Sequence, residues 1–179
     1  GDYFATLTDA QGCSQTYMAQ VLVSDNQAPM LTCPNSVVTG YCNPVVTFAQ
    51  AQVLDNCATN SQWLQLVSGL PSGSSFPAGL TNQIFRYTDG GGNVGECNFT
   101  VTVHLAASVN SSTTNITCAG ICNGSASVTV SGGQGTFGIL WSNGAVGPVI
   151  ANLCPGNYTA TVADSDGCMQ TLTAQIIQP

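Results

Sequence analysis

Residues able to carry chemistry are few in this chain. His104 is the only histidine, Arg86 the only lysine or arginine, and the acidic residues number eight. Hydrolysis by a triad needs a nucleophile, a base and an orienting acid that converge. His104 is the single candidate base. It falls in an alternating segment, and nothing in the sequence sets a nucleophile or an acid beside it. "GLPSG" at 69–73 lacks the spacing of the GxSxG elbow. "GGGNVG" at 90–95 spells the dinucleotide-binding pattern, but that loop must open a helix and precede an acidic residue about twenty positions on. Here a strand-like segment follows, and position 115 is Asn. The expectation is a hairpin turn, no catalytic residue and no nucleotide cofactor.

Five aspartates, Asp25, Asp55, Asp89, Asp164 and Asp166, sit in or near loops. Clustered carboxylates at a module junction would suit calcium, which takes oxygen ligands. No EF-hand spacing is present, and Asp at a turn usually caps its own backbone. No metal site is therefore expected, and calcium is the one cofactor left open. Trp63 and Trp141 could stack on sugars. A Trp packed in a sandwich core is the commoner arrangement, and it is the reading favoured for Trp141. Sequons at Asn98, Asn110, Asn115, Asn123 and Asn157 make those side chains candidates for glycosylation, with the Ser/Thr-rich stretch at 110–117 beside them. The net charge of −7 on one basic residue excludes nucleic-acid binding and docking on anionic lipid. No apolar run is long enough to insert in a membrane.

Nine cysteines, spread along the chain rather than set in paired knuckles, point to disulfides and an extracellular or cell-surface location. The elements that hold all these residues read as strands. "FTVTVHL" (99–105) puts Phe99, Val101, Val103 and Leu105 on one face and Thr100, Thr102 and His104 on the other. "ASVTVSGG" (126–133) and "YTATVADSDG" (158–167) alternate likewise, with turn dipeptides every eight to twelve residues. No segment has helical periodicity. Polar connectors at "SDNQAP" (24–29) and "LAASVN" (105–110) divide the chain. Blocks 1–24 and 156–179 agree at eleven of twenty-four positions at an offset of 155 residues, with Cys13 matching Cys168.

The stretch "APMLTCP…DNC…LVSGLPSGSSFPAGLTNQIFRYTDGGGNVGECNFTVTV" resembles the HYR (hyalin repeat) domain. "ITCAGICNGSASVTV…LWSNG…LCPGNYTATVADSDGC" resembles the SprB-type repeat of Bacteroidota surface proteins. The resemblance implies all-β, tandem immunoglobulin-like sandwiches stapled by disulfides. It divides the chain into 1–24, the closing hairpin of a preceding SprB-like module; 25–105, HYR-like; and 106–179, SprB-like. Four cysteines per domain allow three pairings each. The resemblance favours a bridge from first to last strand plus a second pair: Cys33–Cys97, Cys42–Cys57, Cys118–Cys168 and Cys122–Cys154. Cys13 then has no partner within the chain and is expected to bond a cysteine upstream of Gly1. The function implied is a non-catalytic structural segment of an extracellular fibre or cell-surface adhesin. Its partners are copies of itself or adjacent modules, head to tail, with glycans possible. The alternative is a carbohydrate- or partner-binding accessory module of a secreted enzyme.

Overall fold

The computed structural model describes residues 1–22, 24–57 and 63–179. The regular elements that lie wholly within them are all β-strands. Strands β1 (Asp2–Thr8) and β2 (Ser14–Gln20) form an antiparallel hairpin, a two-stranded sheet of its own. Every residue from 1 to 22 is exposed.

The middle domain holds β3 (Met30–Thr32), β4 (Val37–Thr39), β5 (Val45–Val46), β6 (Gln52–Leu54), β7 (Leu64–Ser68), β8 (Ser74–Ser75), β9 (Gly79–Thr88) and β10 (Val94–Val103). Its main sheet has the order β4-β10-β9-β7, with β4 parallel to β10 and the other pairs antiparallel. Two small ladders, β3-β6 and β5-β8, complete the domain. The period-2 pattern of β10 buries Phe99, Val101 and Val103, and β9 contributes Phe85 to the same core. Phe48 sits edge-on to Phe76, Phe85 and Phe99, the favoured geometry for aromatic rings. Leu105 was expected to continue that inner face. It is 67% exposed, because β10 ends at Val103 and the chain leaves for the next domain.

The last domain holds β11 (Ala107–Thr114), β12 (Gly124–Gly132), β13 (Gly138–Trp141), β14 (Val149–Leu153), β15 (Gly156–Ala163) and β16 (Met169–Ile176). Its sheets are β11-β12-β14 and β13-β15-β16. Ala126, Val128, Ile150 and Leu153 from the first pack with Trp141, Ala160, Val162, Ala174 and Ile176 from the second, which is a β-sandwich core. Trp141 is 2% exposed, and its indole N–H donates to the carbonyl of Gly147 at 3.0 Å. The buried polar group thus has its partner.

One turn occurs three times. The side-chain oxygen Oδ1 of Asp9, Asp89 and Asp164 accepts the backbone N–H four residues on, from Cys13, Asn93 and Cys168, at 2.9, 2.8 and 2.9 Å. Aspartate caps its own turn in each case. "GGGNVG" lies in the second copy and joins two strands, as expected of a hairpin.

These turns fix which end of each domain a loop occupies, and that decides the disulfides. Cys33–Cys97 and Cys122–Cys154 are bonded in the structure. Cys42 does not pair with Cys57, and Cys118 does not pair with Cys168. The third bond is instead Cys42–Cys168, leaving Cys13, Cys57 and Cys118 as free thiols, all exposed. The reason is geometric. Cys42 lies beyond β4, at the end of the middle domain where β10 finishes, as the His104 N–H to Thr39 carbonyl bond shows. Cys57 lies beside Asp25 at the opposite end, near the turn where β10 begins. Ten strand residues separate the two ends, roughly 33 Å. Likewise Cys168 lies in the turn facing the middle domain, and the eight residues of β11 carry Cys118 away from it.

Candidate functional site

Three places concentrate the side chains singled out above: the joint between middle and last domains, the acidic end of the middle domain, and the exposed N-terminal hairpin.

The joint is built by loops of both domains. Gly40 of the middle domain faces the 164–168 turn so closely that a Cβ there would lie 2.7 Å from the Cβ of Asp166 and 2.7 Å from Sγ of Cys168. The Cys42–Cys168 bond closes this contact, with the two Cα atoms 5.5 Å apart. Beside it, Nδ1 of His104 lies 2.6 Å from Oδ2 of Asp166, both side chains about one-fifth exposed. Nε2 of Gln170 donates to the Tyr41 hydroxyl at 3.0 Å and to the Ala107 carbonyl at 2.8 Å. His104 therefore does have an acid beside it, contrary to expectation. The pair spans two domains, and among the described residues His104 makes no side-chain hydrogen bond to a serine, threonine or cysteine. Its role is to join domains.

At the other end of the middle domain, the carboxylates of Asp25, Asp55 and Asp89 meet, with one oxygen from each within 4.8 Å of the others. They come from the 24–29 connector, the end of β6 and the β9–β10 turn. Oδ1 of Asp25 accepts the Gln27 N–H at 3.1 Å, and that bond, with the Cys57 thiol and Asn56 amide beside it, holds the Asp25 carboxyl below its usual range. The same contact to Asp25, with burial, pushes the Cys57 thiol up. Asp164 and Asp166, the other two candidates, are elsewhere: Asp164 caps its turn and Asp166 pairs with His104. Trp63, 45% exposed, lines an open groove of about 370 Å³ with Gln65, Arg86, Thr88, Asp89 and Gly90. The five sequon asparagines, Asn98, Asn110, Asn115, Asn123 and Asn157, are all exposed.

The hairpin is a structural copy of β15-β16. Asp2 pairs with Gln20 as Asn157 pairs with Gln175, and the shared register runs the length of both ladders. Ala160, Val162, Ala174 and Ile176 are at most 3% exposed. Their counterparts by register are Ala5, Leu7, Ala19 and Val21, of which Leu7 is 68% and Val21 50% exposed. The face that closes the last domain's core is bare on the hairpin.

Family models match two segments in order: residues 24–103 match the HYR domain, and residues 110–146 match the SprB repeat. The chain carries a HYR domain followed by a SprB repeat. No curated protein sequence matches it. Among solved structures it is similar to the N-terminal eight Ig domains of Down syndrome cell adhesion molecule isoform 1.30.30. That match has 13% identity, a TM-score of 0.53, and covers 99% of this chain and 31% of that one. Extracellular cadherin domains 1–4 of protocadherin gamma B7 match at 11% identity and TM-score 0.41, covering 98% and 64%. The amphioxus IgVJ-C2 molecule matches at 14% identity and TM-score 0.33, covering 72% and 77%. The first of these shows the immunoglobulin-like fold and nothing more specific. The chain spans under a third of that structure's length.

Sequence reasoning missed the HYR–SprB joint. Strand count alone does not give it: strict alternation through β11–β15 would put the Cys168 turn at the end away from the middle domain. It faces the middle domain because β13 and β14 run the same way, the chain turning back between them beside the Leu140–Val146 bridge.

Proposed function

We propose that this chain is a non-catalytic segment of an extracellular fibre or surface adhesin, in which HYR and SprB modules alternate head to tail. The observation that carries the reading is the bare hairpin. It reproduces the register of the SprB repeat's last two strands, and it lacks the β11–β14 layer that buries them. A lone hairpin is marginal in water, so its apolar face calls for a sandwich to complete. The offset of 155 residues is the length of one HYR-plus-SprB unit. In the SprB repeat the Asp164–Cys168 turn points back at the HYR domain before it. The Asp9–Cys13 turn then points away from this chain's HYR domain, toward that of a neighbouring module, and Cys13 there meets the counterpart of Cys42. Stapled sandwiches in series make a stiff spacer whose modules touch only their neighbours. Exposed sequons and near absence of basic residues suit a glycan-covered surface.

The register allows a seamless test. Residue 155 precedes Gly156, the counterpart of Gly1, so residues 106–155 can be fused directly ahead of residue 1. In the fused chain the β1-β2 amides should become protected from hydrogen exchange, and Leu7→Asp should abolish that protection. Electron micrographs of the protein from its source should show linear strings with a constant axial repeat. Unprotected hairpin amides in the fused chain would refute module completion, and separate particles would refute the fibre. Glycan binding that depends on Trp63 would instead favour the accessory-module reading.

A further inference from the structure

The acidic end of the HYR domain has a charge that nothing in the chain balances. Both carboxylate oxygens of Asp55 and Oδ2 of Asp25 each expose less than 1 Å² and accept no hydrogen bond. Asp89, 6% exposed, completes the group. Buried charges are paired, hydrogen-bonded or bound to metal in folded proteins. Pairing within the chain is not on offer. The only basic side chain, Arg86, is engaged with Glu96, and the only histidine is engaged with Asp166 at the far end of the domain. Three carboxylates are therefore gathered, with three of their oxygens buried and accepting no hydrogen bond, and no basic side chain is paired with them.

Other hydrogen bonds in the cluster position these groups rather than neutralise them. Both oxygens of Asp89 are held by Asn93, from its backbone N–H at 2.8 Å and its amide at 2.9 Å. The same amide donates to the backbone carbonyl of Asp25 at 3.1 Å. The connector, the end of β6 and the β9–β10 turn are thus fixed with their carboxylates converging, and the unpartnered oxygens are left for something else.

We propose that Asp25, Asp55 and Asp89 bind one calcium ion. The donors are all oxygen, which selects a hard cation over zinc or copper. Three carboxylates brought together from three loops suit calcium, which takes six to eight oxygens in a flexible shell, better than magnesium, which keeps several waters and is held by one or two carboxylates. Water and nearby backbone carbonyls would fill the remaining positions of a six- to eight-coordinate shell. The ion ties the connector at Asp25 to two loops of the HYR domain, so it stiffens the point where the N-terminal hairpin joins.

The test uses the full chain, stripped with chelator, and calcium chloride as the titrant. Calorimetry should give one ion per chain with a dissociation constant at or below about 1 mM, the range of extracellular modules. Saturating calcium should raise the melting temperature by a few degrees. Asp55→Asn should weaken binding at least about tenfold, as loss of a charged ligand does. Asp55 accepts no hydrogen bond, so the substitution breaks none. In chelator Asp55→Asn should melt at or above the wild type, because it removes an unbalanced charge. In calcium it should melt below. Terbium offers a readout on the wild-type chain, independent of any Asp55 variant's folding: its emission should be sensitised through Trp63, which shares a groove with Asp89, be lost in Trp63→Phe, and be displaced by calcium. No binding up to about 10 mM calcium, or Asp55→Asn binding as wild type, or that variant melting below wild type in chelator, would each overturn the site.

Discussion

Replacing Cys42 and Cys168 by serine removes the disulfide that staples the middle domain to the last. The size of the effect follows from the loop that the bond closes. The two cysteines are 126 residues apart, and the loop-closure relation gives about 5 kcal/mol for a cross-link of that length. That figure applies if both domains unfold together. If the last domain unfolds alone, Cys42 stays fixed beside His104, and the free loop runs only from 104 to 168. The same relation then gives about 4 kcal/mol for 64 residues. Both routes agree within their precision. At roughly 2–4 °C per kcal/mol for a chain of this size, the double variant should melt about 10–20 °C lower. Differential scanning calorimetry of oxidised wild type and the double variant would read it, with the other two disulfides intact in both. A fall smaller than about 2 °C would refute the reasoning, since the joint's hydrogen bonds would then suffice without the disulfide.

Free thiols give a chemical check: in the native isolated chain Cys13, Cys57 and Cys118 should alkylate and the other six should not. Cys57 should react more slowly than Cys13 at pH 8, because its raised pKa leaves less thiolate, and Asp25→Asn should speed it up. Gly69→Ala should destabilise the HYR domain by at least about 1–2 kcal/mol in urea denaturation. Its φ of +98° disfavours a side chain, and a Cβ would overlap the buried amide of Gln83. Mass spectrometry of peptides from the protein's source should find sugar masses on one or more of the five exposed sequons.

Much of the fold was legible because alternation is a local property. Phe99, Val101 and Val103 point inward because their spacing leaves no other choice once one face is buried, and the same holds for Ala160 and Val162. Motifs such as "LWSNG" marked the modules. What resisted was everything that depends on which end of a sandwich a loop occupies. Cys42, His104, Asp166 and Cys168 are up to 126 residues apart and meet only because β4, β10 and the β15–β16 turn finish at one joint. Asp25, Asp55 and Asp89 meet for the same reason at the other end. Periodicity along a strand does not report on either.

The Cys42–Cys168 bond also changes what happens when the chain is pulled from its ends. Tension entering at Gly1 reaches Cys42, crosses the sulfur–sulfur bond and leaves through Cys168, so residues 43–167 are out of the line of load. Both hydrophobic cores lie almost wholly in that bypassed stretch. With the bond intact, only the residues outside the loop can be drawn out, 42 before it and 12 after it, roughly 190 Å at full extension. The reduced chain could extend to roughly 630 Å. A series of such units would yield at the hairpins and then at the outer strands β3, β4 and β16, and stop there, with most of each core held inside the bonded loop.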